Sequence, residues 1–214
     1  MANAWDVGSA RILASLGFEA IATTSSGHAA SLGRLDQRVT LEELLAHVRA
    51  LVDAVDVPVS VDGERCFADD AQGVAATVER IADTGAAGVS IEDYEPDSGI
   101  DPIEVATERV AAAGEVTRST GMVLTARAEN HLYGVDDLED TITRLIAYRQ
   151  AGADVVYAPW LADIGVRRVS TGGALAFAAY GAMTTAAREL LSEGTSTYIG
   201  RGLSMDDRQA AFDG

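Results

Sequence analysis

The chain has 214 residues, of which 48% are hydrophobic, and its formal net charge is −17. This length suits one domain with a sizeable core, and the hydrophobic content excludes a disordered chain. We therefore interpret residues 1–214 as a single domain. The 16 basic residues are all arginines, so chemistry that needs a lysine, such as a Schiff base, is excluded. The acid excess argues against nucleic acid or an anionic membrane as a partner, because both would repel the chain.

The start of the chain lacks the basic, apolar and small-residue order of a signal peptide. A single cysteine, Cys66, cannot form an intramolecular disulfide. The most apolar segment, residues 172–187, is interrupted by Tyr180, Gly181 and two threonines, which favours a buried or interface helix over a membrane span. These features predict a cytoplasmic protein.

Taken in chain order, five short apolar runs predict strands at 20–23, 58–61, 88–91, 122–126 and 154–158. The segments between them have helical periodicity, and Thr40 with Glu43 forms a capping-box pattern at the start of one helix. Successive strands begin roughly 30 to 40 residues apart, the span of a strand–helix–strand unit in a parallel sheet. No GxGxxG follows the first strand, so a TIM-type (β/α)₈ barrel is favoured over a doubly wound sheet.

Two places predict that this barrel is shortened. Residues 3–6 lead straight into a helix and leave little room for a first strand. After the strand at 154–158, residues 164–170 again resemble a strand, although a parallel crossover needs about a dozen residues or more. We therefore predict a truncated first strand, one missing βα unit after residue 163, and a C-terminal helical region.

Charged residues follow three of the predicted strands directly: Asp62 and Glu64, Glu92 and Asp93, and Arg127 and Glu129. In a barrel the carboxyl ends of the strands form one mouth, where active sites lie. Clustered carboxylates without histidine or cysteine suit Mg²⁺ or Mn²⁺ rather than zinc. The alternative is that these acids are simply solvated at the ends of their strands.

The guanidinium of Arg127 matches a substrate carboxylate or phosphate, although it could instead form an ion pair with Glu92 or Glu129. Thr24, Ser25 and Ser26 lie in a small-residue turn whose backbone N–H groups could hold an anion. His28 and His131 also follow strand ends and are either structural or proton-transfer groups. His47 lies in an amphipathic helix and is interpreted as structural.

Several motifs together resemble the isocitrate lyase and phosphoenolpyruvate mutase superfamily, in particular its short-chain bacterial members. The motifs span nearly the whole chain and are NAWD with SAR (residues 3–11), TTS through SLG to Asp36, DGE (62–64), SIED (90–93), LTAR (124–127) and GVRRVS (165–170). The resemblance implies a barrel that binds Mg²⁺ and breaks or rearranges a C–C or P–C bond of a small 2-oxo acid or related carboxylate, or of a phosphonate, through an enolate.

Residue by residue, the resemblance implies that Asp62 ligates the metal directly and that Asp36, Glu64 and Glu92 hold its water molecules. It further implies that Arg127 and the turn at Thr24, Ser25 and Ser26 bind substrate oxygens, and that Arg127, Glu92 and Glu64 are the catalytic residues. Members of the superfamily commonly form dimers or tetramers by exchanging C-terminal helices, so the segment 172–187 is expected to support a homo-oligomer.

The sequence also departs from the superfamily pattern. Isocitrate and methylisocitrate lyases carry a Lys-Lys/Arg-Cys-Gly-His loop where this chain has YEPDSG (94–99), and a Ser-Gly-Tyr-Gly turn of the short members is replaced by RCFA (65–68). Isocitrate cleavage is therefore not expected. Two functions remain: a Mg²⁺-dependent lyase or phosphonomutase-like enzyme, or a degenerate barrel that binds a metal or metabolite or serves as a non-catalytic oligomer partner.

Overall fold

The computed structural model describes residues 1–159 and 170–213. In these residues the main sheet has six strands, all parallel to their neighbours, and the order across the sheet follows the order along the chain. Its strands are β1 (Ala2–Ala4), β2 (Ile21–Thr23), β3 (Val59–Asp62), β4 (Gly88–Glu92), β7 (Val123–Arg127) and β8 (Val155–Tyr157). Between β4 and β7 the chain forms a small antiparallel hairpin of β5 (Tyr94–Glu95) and β6 (Gly99–Ile100).

Helices alternate with these strands, as the periodicity predicts. They are α1 (Val7–Ser15), α2 (Ser25–Ser31), α3 (Leu41–Val52), α4 (Ala71–Ala82), α5 (Ile103–Thr120), α6 (Leu138–Ala151), α7 (Ala174–Glu193) and α8 (Met205–Phe212), with a 3₁₀ turn at Thr197–Arg201. The capping box at Thr40 and Glu43 is confirmed at the start of α3. At the end of α6, Gly152 adopts φ of 117°, a conformation that favours glycine, and turns the chain into β8.

The parallel α/β architecture is confirmed, and all five predicted strands are present. A first strand also exists, but β1 has only three residues. The predicted missing βα unit falls on residues 160–169, which lie outside the described residues, so it stays a prediction. Beyond that segment the chain returns to β1: Asn3 Oδ1 accepts hydrogen bonds from the backbone N–H groups of Thr171 at 3.0 Å and Gly172 at 3.2 Å.

The core lies between the sheet and the helices that cover it. Strand residues such as Ile21, Val89 and Leu124 are fully buried, as are Leu45 of α3 and Ile81 of α4. Burying one such side chain contributes about 1.5 to 3 kcal/mol relative to leaving it exposed. This packing fixes the carboxyl ends of the strands, from which the candidate site is built.

The apolar segment at 172–187 lies largely in α7, where Ala176 is the buried residue. Phe177 is 54% exposed and Leu191 is 87% exposed. Burial of this helix within a single chain is therefore wrong, because α7 presents its apolar side chains outward; its role as an interface helix stays a prediction. Across the described residues, we found no helix that combines the length and the hydropathy needed to cross a membrane.

Two histidines stack inside the fold. The rings of His28 on α2 and His47 on α3 lie with centroids 3.7 Å apart and planes 14° apart, and both residues are 8% exposed. Both ring nitrogens of His28, and Nε2 of His47, are buried without a hydrogen-bond partner. Burial, together with the neighbouring His28, lowers the pKa of His47 to about 3. His47 is therefore structural, as predicted, and both rings are held in the uncharged form.

This pair predicts an acid sensitivity of folding. The unfolded chain protonates His47 below about pH 6.5, whereas the folded chain does so only near pH 3, so acidification through this window favours the unfolded state. The loss is at most about 1.4 kcal/mol per pH unit for this group. Buried carboxyls with raised pKa values act in the opposite direction, so the informative quantity is the difference between variant and wild type. Urea unfolding should show that His47→Leu loses less stability than wild type between pH 7 and pH 4; an equal loss in both proteins would contradict this account.

Candidate active site

The site is built on a row of residues at the carboxyl ends of neighbouring strands. Glu92 of β4 is the register partner of Arg127 of β7, and Arg127 is the partner of Tyr157 of β8. Asp62 ends β3 and pairs in register with Ser90 of β4. Because parallel strands all end on one side of the sheet, the fold brings these side chains together. The prediction that three strand ends converge is confirmed.

Arg127 is bound by three carboxylates. Its Nη1 lies 3.1 Å from Asp62 Oδ1 and 2.8 Å from Glu92 Oε1, and its Nε donates to Glu129 Oε1 at 2.7 Å. The side chain of Arg127 is only 17% exposed, and those of Glu92 and Glu129 are 5% and 0% exposed. The ion pair left open by the sequence is therefore present with both predicted partners and also with Asp62.

Asp62 links the strand ends to the turn after β2. Its Oδ2 accepts the backbone N–H of Ser25 at 3.0 Å, and its own N–H donates to Thr23 Oγ1 at 2.8 Å. Thr24 caps α2 by accepting from Gly27 N at 3.3 Å. Gly27 has no room for a side chain, since a Cβ there would lie 2.6 Å from Thr24 Cγ2 and 2.9 Å from Trp5 Cβ. The turn is thus fixed against the mouth, with one of its N–H groups already bound to Asp62.

Ser26 and Asp36 complete the placement of the predicted residues. Ser26 Oγ lies 3.2 Å from Thr24 Oγ1 in the same turn. Asp36 is exposed at the rim, and its Oδ1 accepts the backbone N–H of Gln37 at 3.1 Å. Gln37 then reaches inward, with Nε2 3.3 Å from Glu92 Oε2. Nothing in the sequence indicates this contact, because residue 37 precedes α3 and follows no strand.

Glu64 carries the clearest electrostatic signature of the site. It is 6% exposed. Burial, followed by the charges of Asp62 and Asp36, raises the pKa of Glu64 to about 8. Burial and the neighbouring acids Glu129, Asp62 and Glu64 likewise raise the pKa of Glu92, against the opposing effect of Arg127. The mouth therefore holds more carboxyl groups than Arg127 can neutralise, so Glu64 and Glu92 resist ionisation.

This donor set fits a hard divalent cation that keeps part of its water shell. Within residues 1–159 and 170–213, no three side chains of histidine, cysteine, aspartate or glutamate are arranged to ligate one ion directly. Such an ion would therefore have at most two of these side chains as direct ligands, with water molecules completing its shell. Carboxylate oxygens and water are the ligands that Mg²⁺ prefers. The raised pKa of Glu64 is the observation that supports the fit, because a cation would relieve the repulsion that causes part of it.

A buried network behind the site holds Glu129 in place. Asp93 is 2% exposed, and its Oδ1 accepts the backbone N–H of Glu129 at 2.8 Å. Its Oδ2 accepts from the hydroxyl of Tyr148 at 2.5 Å and from Arg144 Nη1 at 3.2 Å. Asp93 was recognised as a strand-end acid, but the partners on α6 depend on packing that the sequence does not reveal.

Sequence reasoning missed three tyrosines that lie at the ends of strands or shortly after them. Tyr94 and Tyr133 stack with centroids 3.3 Å apart and planes 7° apart, and the Tyr157 ring lies with its centroid 5.5 Å from Arg127 Cζ. Tyr157 could have been found as a residue at a strand end. The stacked pair could not, because its members lie in loops that follow different strands.

The other sequence candidates contact partners outside the cluster around Arg127. His131 Nδ1 is 3.2 Å from Asp136 Oδ1, and His28 stacks against His47. Cys66 is fully buried, which confirms its interpretation as a small core residue. Beside Glu64 a cavity of about 220 Å³ opens between the loops, lined in part by Arg38, Arg65 and Phe67.

Comparison with known proteins agrees with this geometry. The family model described as phosphoenolpyruvate phosphomutase matches residues 1–163. A 2-methylisocitrate lyase of Salmonella typhimurium is 32% identical over 162 residues, which cover 71% of this chain and 54% of that protein. A 2,3-dimethylmalate lyase of Eubacterium barkeri is 28% identical over 165 residues, covering 72% of this chain and 56% of that protein. The chain thus spans about half the length of these curated relatives.

Among solved structures, a Burkholderia cenocepacia protein provisionally described as a lyase/mutase superposes with a TM-score of 0.92. It is 39% identical, and the alignment covers 100% of this chain and 90% of that one. The parallel strands with a carboxylate mouth define a barrel-like α/β protein, and the similar proteins named above are described as lyases or mutases. The chain belongs to the isocitrate lyase and phosphoenolpyruvate mutase superfamily.

The raised pKa of Glu64 makes the metal-free site a source of instability. In the folded state this carboxyl ionises near pH 8, well above its usual value, so its contribution to stability declines as pH rises from about 4.5 to 8. Glu64→Gln, which keeps the shape without the charge, should therefore stabilise the metal-free protein at pH 8.5 by about 1 to 3 kcal/mol. The gain should shrink towards pH 5. Urea unfolding at both pH values measures it, and a variant less stable than wild type at pH 8.5 would refute it.

Proposed function

We propose that this protein is a Mg²⁺- or Mn²⁺-dependent lyase or mutase that acts on a small 2-oxo acid, or on a related carboxylate or phosphonate, through an enolate. The single observation that carries the proposal is the arrangement of Arg127 with Asp62, Glu92 and Glu129 at three strand ends. Superfamily membership supports the reaction class. A catalytically degenerate barrel is less favoured, because Arg127 is bonded to Asp62 and Glu92, and Asp62 also accepts the backbone N–H of Ser25.

Arg127 is the group we assign to substrate binding. Its guanidinium is held on one side by Glu129 and by the Tyr157 ring, so its orientation is fixed before a ligand arrives. Its Nη1 points into the mouth, towards Asp62 and Glu92. Because both N–H groups of Nη1 are directed at these two carboxylates, a substrate carboxylate would take up its charge-assisted contact at Nη2. Ser25, Ser26 and Thr24 would bound the opposite side of the substrate.

The metal would be held by Asp62 directly and by Asp36, Glu64 and Glu92 through water. When bound, such an ion stabilises the negative charge of an enolate oxygen, which is the chemistry that this site otherwise lacks. Glu64 and Glu92 are the carboxyls whose pKa values lie above normal, so they are the groups we assign to holding or moving a proton near neutral pH. We also propose that the protein works in the cytoplasm.

Ligand-dependent stability tests the proposed site. Thermal unfolding should shift upward by several degrees when Mg²⁺ and oxalate, a mimic of the pyruvate enolate, are added together, because both bind the folded state only. Either alone should produce a smaller shift. Asp62→Asn should abolish the joint shift, whereas Asp53→Asn, which removes the same charge at the C-cap of α3, should retain it. No shift in the wild type, despite a cooperative transition, would reject the enzymatic proposal.

We further propose that the protein is a homo-oligomer, a dimer or tetramer, whose interface includes α7. Apolar side chains of this helix are exposed in the single chain, among them Phe177, Met183 and Leu191. An apolar face of this kind on a folded protein marks an interaction surface. Ser170 and Thr171, which precede α7, both donate hydrogen bonds to Asn3 of β1. These bonds place the start of the helix next to the sheet.

Light scattering tests the oligomer directly. The wild type should have at least twice the mass of one 22.3 kDa chain. Leu191→Glu places a charge at the most exposed large apolar residue of α7, so it should shift the equilibrium towards monomers without lowering the helix content. Glu193→Gln, at the end of the same helix, serves as the matched control and should leave the mass unchanged. A monomeric wild type would contradict the proposal.

A further inference from the structure

The loop after β3, residues 63–68, reaches the mouth on strained backbone. Three of its residues have positive φ although none of the three is glycine, and one of them is Glu64 with φ of 48°. Glu64 O accepts the backbone N–H of Glu92 at 2.9 Å, which sets the loop beside the end of β4. Glu64 also lines the same cavity as Gln37, whose Nε2 lies 3.3 Å from Glu92 Oε2. These contacts place Glu64 at the mouth.

A buried arginine on a helix holds this loop by its main chain. Arg109 of α5 is 2% exposed, and its Nη2 donates to the backbone oxygen of Arg65 at 2.5 Å. That oxygen belongs to the residue between Glu64 and Cys66, so the bond acts inside the strained run. An acid, Asp101, is more distant, with its Oδ2 3.8 Å from Arg109 Nε. The carbonyl of Arg65 is thus the short contact of this guanidinium among the described residues.

The fold alone does not require a charge at this position. Nε and Nη1 of Arg109 are buried and have no hydrogen-bond partner among the described residues. A buried guanidinium with unused donors is unfavourable relative to an apolar side chain, because its hydrogen bonds to water are not replaced. Asp101 is satisfied without Arg109, since Arg65 binds both of its oxygens, at 3.2 Å and 3.1 Å. The bond to the loop is the contact that explains an arginine here.

Resting on the function proposed above, we propose that Arg109 is a positioning residue for the metal site. By holding the Arg65 carbonyl, it keeps the loop in the conformation in which Glu64 lies at the mouth and can hold a water molecule of the metal. Arg109 would act through Glu64 and not by direct contact with the ion. Residues that orient the ligands of a metal commonly change its affinity about 10- to 100-fold, and Arg109 stands one contact further back, so about fivefold is expected.

Binding of Mn²⁺ alone to the full chain, measured by calorimetry, tests this role. Arg109→Met has an unbranched apolar side chain that suits the buried position but cannot donate to the carbonyl, so it should bind Mn²⁺ about fivefold more weakly than wild type. Arg109→Lys retains a donor and should bind within about twofold of wild type. If Arg109→Lys bound as weakly as Arg109→Met, the loss would come from packing and the inference would be overturned.

A double-mutant cycle tests whether Arg109 acts through Glu64. Glu64→Ala removes the carboxyl, and adding Arg109→Met to it should weaken Mn²⁺ binding no further. The matched control is Val110→Ala, at the neighbouring buried residue of α5, which leaves the bond from Arg109 in place. It should lower the stability of the fold and leave the Mn²⁺ affinity unchanged. Additive effects in the double variant, or an equal weakening by Val110→Ala, would overturn the inference.

Hydrogen exchange without metal separates this inference from the proposed function. Arg109→Met should speed exchange of the backbone N–H groups of Glu92 and Cys66, which donate to Glu64 O and Gly63 O. Unchanged exchange, or unchanged Mn²⁺ affinity in this variant, would overturn the positioning role and leave the proposed function standing. Failure of the wild type to bind Mn²⁺ would overturn the proposed metal-dependent function and the positioning role with it.

Discussion

The rest of the site depends on one constraint, the neutralisation of a single guanidinium by acids from three different strands and loops. A parallel sheet places the carboxyl ends of its strands side by side, so charged residues at those ends are forced together whether or not their charges balance. Here Arg127 bonds to Asp62, Glu92 and Glu129 in surroundings that exclude most water. Removing any one partner from such a cluster would leave a buried charge incompletely paired.

The carboxyl groups at the mouth outnumber the single guanidinium of Arg127. Arg127 offers one positive charge to three direct partners, and Glu64 and Asp36 add to the excess without touching it. The protein therefore carries in its folded state a repulsion that folding alone does not require. The raised pKa of Glu64 expresses this repulsion. Such a cluster is what we expect if a cation is part of the working state, as proposed above. Metal binding would relieve the repulsion between the carboxylates.

The sequence was sufficient to predict the parallel architecture and the chemical identity of the mouth. Strand-end residues such as Asp62, Glu92 and Arg127 could be found because strand ends are local features of the chain and parallel strands share one edge. Contacts that cross between loops could not be found in this way. Gln37 reaches Glu92, and Tyr94 stacks on Tyr133, across segments that are far apart in the sequence and meet only in the folded chain. The sequence also leaves open whether α7 is a buried or an interface helix, because an Ala-rich apolar helix has the same composition in a core and at an interface.

The residues with strained backbone lie in the same region as the clustered carboxyl groups of the mouth. Among the described residues, the non-glycine residues with positive φ are Gln37 at 61°, Glu64 at 48°, Cys66 at 57° and Phe67 at 51°. All four lie in the loops that border the mouth. Each such conformation costs of order 1 kcal/mol or more and persists only where surrounding contacts enforce it.

The contacts that enforce the strain are identifiable. Cys66 is fully buried in the core, Cys66 N donates to Gly63 O at 2.8 Å, and Gln37 is held by its bond to Glu92. At Cys66 and in the residue after it, glycine would adopt the same backbone without strain. Cys66 and Phe67 are strained in this conformation, but the side chain of Cys66 fills the core and that of Phe67 lines the cavity beside Glu64. A loop that is held in this way has little freedom to open as a lid, so selectivity at this mouth must come from a preformed surface. The ring of Tyr157, whose centroid lies 5.5 Å from Arg127 Cζ, is part of that surface.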